Sequence, residues 1–208
     1  MLAEELITFH PTKDWVDEDL LKVMEDVFNR YYHYFCSCLV KGTYPFVTPI
    51  SLFKSVPNNR DTIFIWSEIE ADFQEMNVPM LRLHGDLWTA NTLLDKSVGE
   101  IYFIDWEFSN YLFFFYDFFN MMWVEFYINK NDLFLNQYVN GEYDHEMERA
   151  FTLFGLDFKQ QARMSYFNLY FLNYYAMRLT KMDLKSRKAY IKQYKKLLRQ
   201  IKCRPSIN

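Results

Sequence analysis

The stretch that decides the fold runs from Leu83 to Leu94 and reads LHGDLWTANTLL. It opens with a turn-forming His-Gly-Asp and ends in a short apolar run. A second apolar run, Ile101–Ile104, follows after the turn-forming segment DKSVG. Two short apolar runs separated by such a turn predict a β-hairpin over about 92–95 and 100–104.

Polar residues gather at one end of this predicted hairpin. Asp86 lies on the turn, Asn91 comes five residues later, and Asp105 directly follows the second apolar run. Carboxylate and amide oxygens are hard ligands that suit Mg²⁺. Phosphoryl transfer needs a residue that orients the attacking hydroxyl and a metal ion that neutralises phosphate charge. The three residues are therefore candidates for a phosphoryl-transfer site, although each aspartate taken alone could be a simple turn former.

The motifs together resemble those of a known enzyme family. HGDxxxxN, the hairpin, IDWE at 104–107 and YD at 116–117 are similar to the aminoglycoside phosphotransferase and choline kinase family, a relative of the protein kinases. The resemblance is tight over about Met80–Asn120 and elsewhere is limited to the order of elements. It implies one C-terminal lobe of a protein-kinase-like fold over residues 1–208, with a catalytic segment at about 80–120 and a helical acceptor-site region at about 121–202.

The resemblance also implies roles for individual residues in an ATP-dependent phosphotransferase. Asp86 would be the catalytic base, and Asn91 and Asp105 would be the Mg²⁺ ligands, with ATP as phosphate donor. His84 and Asp117 would hold the catalytic loop in shape.

The acceptor implied by the resemblance is a small hydroxylated molecule such as an aminoglycoside, a choline-like amine or a sugar. Glu107 is either a substrate-binding residue or a solvated residue at the rim of the loop. The net charge of −13 on residues 1–180 weakly favours a cationic acceptor. Aromatic residues at 167–175 could cage a quaternary ammonium group, but their spacing predicts a core helix more strongly.

Members of this family begin with an N-terminal β-sheet lobe that covers ATP. Only about eighty residues precede the His-Gly-Asp motif in this chain, and they contain no glycine-rich loop and no lysine in a strand context. We therefore expect the N-terminal β lobe to be absent, and the isolated chain to be inactive unless that lobe or a second chain completes it. The alternative is a kinase-derived binding or assembly protein that transfers no phosphate.

The rest of the chain predicts a mainly α fold with this one small β-hairpin. The low glycine count of 5 and helical periodicity favour helices. We predict a helix at Val16–Phe35 capped by Asp14, a loop at Thr43–Pro57, a helix at Asp61–Met76 and a strand at Met80–Leu83. Further helices are predicted at about 116–128, 131–139, 142–154, 157–181 and 184–202.

Composition narrows the class of protein. Hydrophobic residues make up 50% of 208 residues, enough for a sizeable core. The three cysteines (Cys36, Cys38 and Cys203) predict reduced thiols rather than a disulfide framework. The acidic N-terminus is unlike a signal peptide and no uncharged stretch is long enough for a transmembrane segment, so we expect a cytoplasmic protein.

Charge is distributed unevenly along the chain. Residues 181–208 hold ten Lys and Arg against one acid, a net charge of +9. Such a segment could contact nucleic acid or anionic lipid. A solvated face of a terminal helix is the stronger interpretation, and no nucleic-acid partner is expected.

Overall fold

A computed structural model describes residues 9–42 and 44–202 of the chain. The described residues are mainly helical and include two small antiparallel sheets, as the sequence predicts for the fold class. The helices are α1 (Asp17–Lys41), α2 (Pro49–Ser55), α3 (Arg60–Ser67), α4 (Ala71–Gln74), α5 (Tyr116–Val124), α6 (Leu133–Asn140), α7 (Asp144–Leu153), α8 (Arg163–Met177) and α9 (Leu184–Lys202). The strands are β1 (Phe46–Val47), β2 (Val78–Leu83), β3 (Thr92–Asp95), β4 (Glu100–Phe103) and β5 (Asn110–Phe113).

The predicted hairpin is confirmed. Strands β3 and β4 pair antiparallel, with Thr92 opposite Phe103 and Asp95 opposite Glu100. The side chains of Leu94 in β3 and of Ile101 in β4 are buried. The hairpin therefore packs against the body of the protein. At its open end, the residues that precede β3 and those that follow β4 lie close together.

The strand predicted at Met80–Leu83 is confirmed as part of β2, but the three-stranded sheet in which it pairs was not predicted. Strand β2 lies between β1 and β5 and pairs antiparallel with both. Strand β5 escaped prediction because its apolar residues run without a break into those of α5, and periodicity cannot separate a short buried strand from a helix. The sheet matters for function because β2 ends at Leu83, directly before the His-Gly-Asp turn.

Three predictions for the first eighty residues need correction. Asp14 does not cap α1; the N-cap is Val16, whose backbone N–H donates to the Asp19 carboxylate at 3.2 Å. The predicted loop at 43–57 contains β1 and α2, because the Thr48 side chain caps a helix that begins with a proline at its first position. The predicted helix at 61–76 is split into α3 and α4.

The core is built around α5 and α8. Every side chain from Tyr116 to Trp123 is buried, and so is every one from Ser165 to Tyr175. The aromatic residues at 167–175 are therefore core residues, as their helical spacing predicted. They form no exposed cage for an ammonium group. No helix within 9–42 and 44–202 has both the length and the apolarity to cross a bilayer. Cys36 and Cys38 are free thiols, while Cys203 lies outside the described residues.

Candidate active site

A buried carboxylate holds the loop that follows β2. Asp117, in the first turn of α5, accepts hydrogen bonds from the backbone N–H of His84 at 2.8 Å and of Gly85 at 2.9 Å. The hydroxyl of Tyr31 in α1 donates to the same carboxylate. Burial raises the pKa of Asp117 above its usual value, although these hydrogen bonds oppose the rise. The carboxylate thus ties α1, α5 and the loop together at one point.

Gly85 lets the loop turn tightly beneath this carboxylate. Its φ of +79° lies in the left-handed region that residues with a Cβ rarely adopt. A Cβ at this position would lie 2.3 Å from the backbone oxygen of Phe108. The glycine is therefore required both by the backbone conformation and by the close approach of a second backbone segment.

The imidazole of His84 joins the loop to the end of the hairpin. Its Nε2 lies 2.7 Å from the carbonyl oxygen of Ile104, and its Nδ1 accepts from the backbone N–H of Asp86 at 3.3 Å. A carbonyl needs a donor and an N–H needs an acceptor, so this pattern requires a neutral ring with the proton on Nε2. His84 therefore fixes the distance between the loop and the segment that carries Asp105.

The carboxylate of Asp86 is held by an arginine from the far end of α8. The Nη2 atom of Arg178 lies 2.7 Å from Oδ1 of Asp86 and 3.2 Å from the carbonyl oxygen of Gly85. Its guanidinium also lies over the ring of Phe108, 4.0 Å from the ring centre. Burial raises the pKa of Asp86, and the positive charge of Arg178 only partly offsets this effect. Within 9–42 and 44–202 no hydrogen bond or ion pair involves the other carboxylate oxygen, Oδ2.

Asn91 turns its amide so that the oxygen is available. Its Nδ2 donates to the backbone carbonyl oxygen of Asp86 at 2.8 Å, which leaves Oδ1 as the atom that can bind a cation. The backbone oxygen of Asn91 accepts from the N–H of Ile104 at 3.0 Å. The same residue therefore contacts the loop on one side and the end of β4 on the other.

Asp105 stands where the hairpin ends and is exposed to solvent. Its φ of 62° is left-handed, a conformation that aspartate tolerates better than most residues. The negative charge of Asp105 is close enough to raise the pKa of Asp86. The structure thus brings Asp86, Asn91 and Asp105 to one end of the hairpin.

The donor set at this end of the hairpin fits magnesium better than a transition metal. Asp105 and Asn91 offer a carboxylate and an amide oxygen, and both ring nitrogens of the neighbouring His84 are already engaged. No group of three or more His, Cys, Asp and Glu side chains within 9–42 and 44–202 could hold a metal by itself. Mg²⁺ commonly binds through one or two carboxylates together with waters and substrate phosphates, so two protein ligands are enough for such a site.

Arg178, the ion-pair partner of Asp86, lines an open cleft of about 340 Å³, although Asp86 itself is not part of its lining. Glu107, the last residue of the IDWE segment, is exposed on its wall. The opposite wall comes from the end of α8 and the turn after it, where Arg178 and Lys181 lie. The cleft therefore offers one carboxylate and two cationic groups next to the candidate catalytic loop.

A comparison with protein families agrees with these motifs. The model of the phosphotransferase enzyme family matches residues 55–151, just under half of the chain. The resemblance to that family is confirmed over this segment. Asp86, Asn91 and Asp105 all lie within it. Searches of curated proteins and of solved structures gave no match.

Two residues outside the central motifs were not foreseen as part of the site. Arg178 lies beyond the segment that matches the phosphotransferase enzyme family, at the end of a helix whose other residues read as core. Tyr31 lies before that segment, in a helix whose periodicity also indicates only packing. Neither has a motif of its own, so only the folded chain brings them to Asp86 and Asp117.

Proposed function

We propose that this chain is the catalytic C-terminal lobe of a protein-kinase-like phosphotransferase, which moves a phosphoryl group from ATP to a hydroxyl of a small molecule. The observation that supports it best is the amide of Asn91. Its Nδ2 donates to the Asp86 carbonyl oxygen, so its own oxygen is available next to the residue proposed as the base. A simple turn would not require an amide held in this orientation.

In this proposal Asp86 receives the proton of the attacking hydroxyl at Oδ2, because Oδ1 is held by Arg178. General-base assistance of this kind contributes about 10²–10⁴-fold to a rate. Asn91 Oδ1 and the Asp105 carboxylate would hold Mg²⁺. Magnesium-bound ATP would supply the transferable phosphoryl group, and the Mg²⁺ ion would neutralise the charge on that group. His84 and Asp117 act only by keeping the loop in this shape.

The cleft lined by Glu107 and Arg178 is the proposed acceptor site. Arg178, which pairs with Asp86, forms part of its wall, so an acceptor bound there would contact the partner of the proposed base. The Nε atom of Arg178 is buried and has no hydrogen-bond partner among the described residues. An oxygen atom of an acceptor could reach this buried donor only if the Arg178 side chain moved. Since cationic and anionic groups both line the cleft, its charge does not select a cationic amine over a neutral sugar.

The proposed division of the chain follows from these positions. Residues at about 80–120 form the catalytic segment, and those at about 121–202 form the helical region that borders the acceptor. The described residues before β2 form helices and one two-residue strand, with no glycine-rich loop and no strand lysine to contact triphosphate. We therefore expect weak Mg-ATP binding by the 208 residues alone, and restored binding when a nucleotide-covering lobe is supplied upstream or as a second chain.

One observation favours the alternative of a binding protein that transfers no phosphate. The ion pair between Arg178 and Asp86 occupies one of the two oxygens that could serve as a base, and a charge held in such a pair is a weaker proton acceptor. A pair of this kind would also stabilise a loop that has no catalytic task.

Transfer of labelled γ-phosphate separates the two functions. The chain would be joined to the nucleotide-binding lobe of another phosphotransferase and incubated with Mg-ATP and a panel of amino sugars, choline-like amines and neutral sugars. We expect transfer to at least one acceptor by the completed protein and none by the isolated chain. Acceptor binding without transfer, in a completed protein shown by calorimetry to bind Mg-ATP, would support the alternative.

A further inference from the structure

Helix α9 is a rigid, strongly basic element on the surface of the protein. It contains eight Lys and Arg residues and no acidic residue. One face is anchored in the core, where Ile191, Tyr194, Leu197 and Leu198 are buried. The ring of Tyr194 stacks on Phe171 with 3.8 Å between ring centres, and its hydroxyl donates to Asn168 at 2.7 Å. The opposite face is therefore fixed in orientation.

That opposite face carries an unpaired row of charge, which we call the basic stripe. Its members follow one another at intervals of three or four residues and span about 21 Å along the helix, given a rise of about 1.5 Å per residue. They are Lys185, Lys188, Lys192, Lys196 and Arg199, all of them exposed. Within 9–42 and 44–202 none of the five forms an ion pair. By contrast Lys195 pairs with Asp61 at 3.2 Å and Lys202 with Glu68 at 2.6 Å.

The surface beside the stripe is concave. A shallow cleft of about 400 Å³ is lined by Lys188, Lys192, Lys196 and Arg199 of the stripe together with Lys195. Its one acidic lining residue, Asp61, is already paired with Lys195. The cleft therefore has five cationic side chains and one carboxylate that is already neutralised. Its positive charge is complementary to the negative charge of phosphate groups.

We propose that the basic stripe docks this protein onto the surface of a bilayer that contains anionic lipids. Helix α9 carries +8 in a chain with a net charge of −4, so its exposed face is a side of the molecule that attracts an anionic surface. A flat bilayer contacts only that side of the protein. At physiological salt, protein charges more than about 8 Å from the bilayer are screened. A nucleic-acid strand is a poorer fit, because nucleic-acid-binding domains are generally basic overall whereas this chain has a net charge of −4.

The side chains of the stripe agree with a lipid surface. Four of the five are lysines, which act as point charges near anionic headgroups, whereas arginine is the residue of choice for nucleic-acid recognition. Among the described residues of α9 the one large apolar side chain that is exposed is Leu184, so the stripe lacks the aromatic platforms on which single-stranded bases stack. Because the apolar face of α9 is buried in the core, the contact is electrostatic and reversible.

Co-sedimentation of the full chain with vesicles tests the proposal. We expect binding to phosphatidylcholine vesicles with about 30 % phosphatidylglycerol and not to phosphatidylcholine alone. The bound fraction should fall sharply between about 0.05 M and about 0.5 M salt. Replacing Lys188, Lys192 and Lys196 by Gln should weaken binding about 100-fold, since each lysine near an anionic surface contributes about fivefold.

The matched control replaces three exposed lysines elsewhere, as Lys13→Gln, Lys22→Gln and Lys54→Gln, which removes the same charge and should leave vesicle binding within about twofold. Circular dichroism of both triple variants shows whether α9 remains folded. Absence of binding to the anionic vesicles at low salt, or an equal loss in the control variant, would overturn the proposal. So would tighter binding to a single-stranded oligonucleotide that depends on the same three lysines.

Discussion

At the scale of single residues, the proposed function depends most on the carboxylate of Asp86. Burial raises its pKa although a guanidinium lies 2.7 Å away. A group whose pKa is higher in the folded state binds its proton more tightly there. Its contribution to stability is then fully present below the pKa of the unfolded state and is lost as pH rises through the folded-state value.

This sign gives a prediction for Asp86→Asn, which cannot ionise. The free energy of unfolding of the wild type, minus that of the variant, should decrease as pH rises through the carboxylate range. Urea denaturation of both proteins at a series of pH values measures this difference, in which the other titrating groups cancel. A difference that increases with pH would mean that Arg178 outweighs burial.

Gly85→Ala should be strongly destabilising. Left-handed backbone costs a residue with a Cβ about 1–2 kcal/mol, and the overlap with the Phe108 carbonyl oxygen adds about 1–3 kcal/mol. Gly42→Ala is the matched control, because Gly42 has a φ of +65° but no described residue has an atom within 4 Å of the added Cβ. Its loss should be limited to about 1–2 kcal/mol. Equal losses in urea denaturation would show that the close approach at Gly85 is unimportant.

At the scale of elements, the end of α8 contacts the loop that carries Asp86. The side chains of Arg178 and Asp86 are only 16% and 20% exposed, so their ion pair should contribute more than a surface pair does. A double-mutant cycle with Asp86→Asn and Arg178→Met should give an interaction energy of about 1–3 kcal/mol in unfolding.

The exposed pair of Lys159 and Asp72 provides the comparison for this cycle. Its side chains are 51% and 76% exposed, and such pairs contribute about 0.2–1 kcal/mol. Interaction energies of equal size for the two pairs would contradict a structural link between α8 and the loop.

The elements also show what could be predicted from sequence. The hairpin was predictable because two isolated apolar runs with a turn between them leave few alternatives. Strand β5 was not, since Asn110–Phe113 merges with the apolar run of α5 and becomes a strand only by pairing with β2. Helix α2 was hidden by prolines that suggested a loop, although one of them is the first residue of the helix.

At the scale of the whole molecule, the candidate site combines local and distant residues. Asp86, Asn91 and Asp105 could be predicted because one continuous segment carries them and the hairpin brings its ends together. Arg178 and Tyr31 could not, since only the packing of α8 and α1 around α5 brings them to the loop. The same packing fixes the orientation of α9 and so of the basic stripe.

The central claim is that Asp86 is the base of a phosphotransferase whose magnesium ligands include Asp105. The most direct measurement is the turnover of the protein completed with a nucleotide-binding lobe, followed by ADP release with a responsive acceptor. Asp86→Asn should lower kcat about 10²–10⁴-fold and leave the Kd for Mg-ATP nearly unchanged, whereas Asp105→Ala should abolish the magnesium-dependent part of ATP binding. Full turnover by Asp86→Asn would contradict the account.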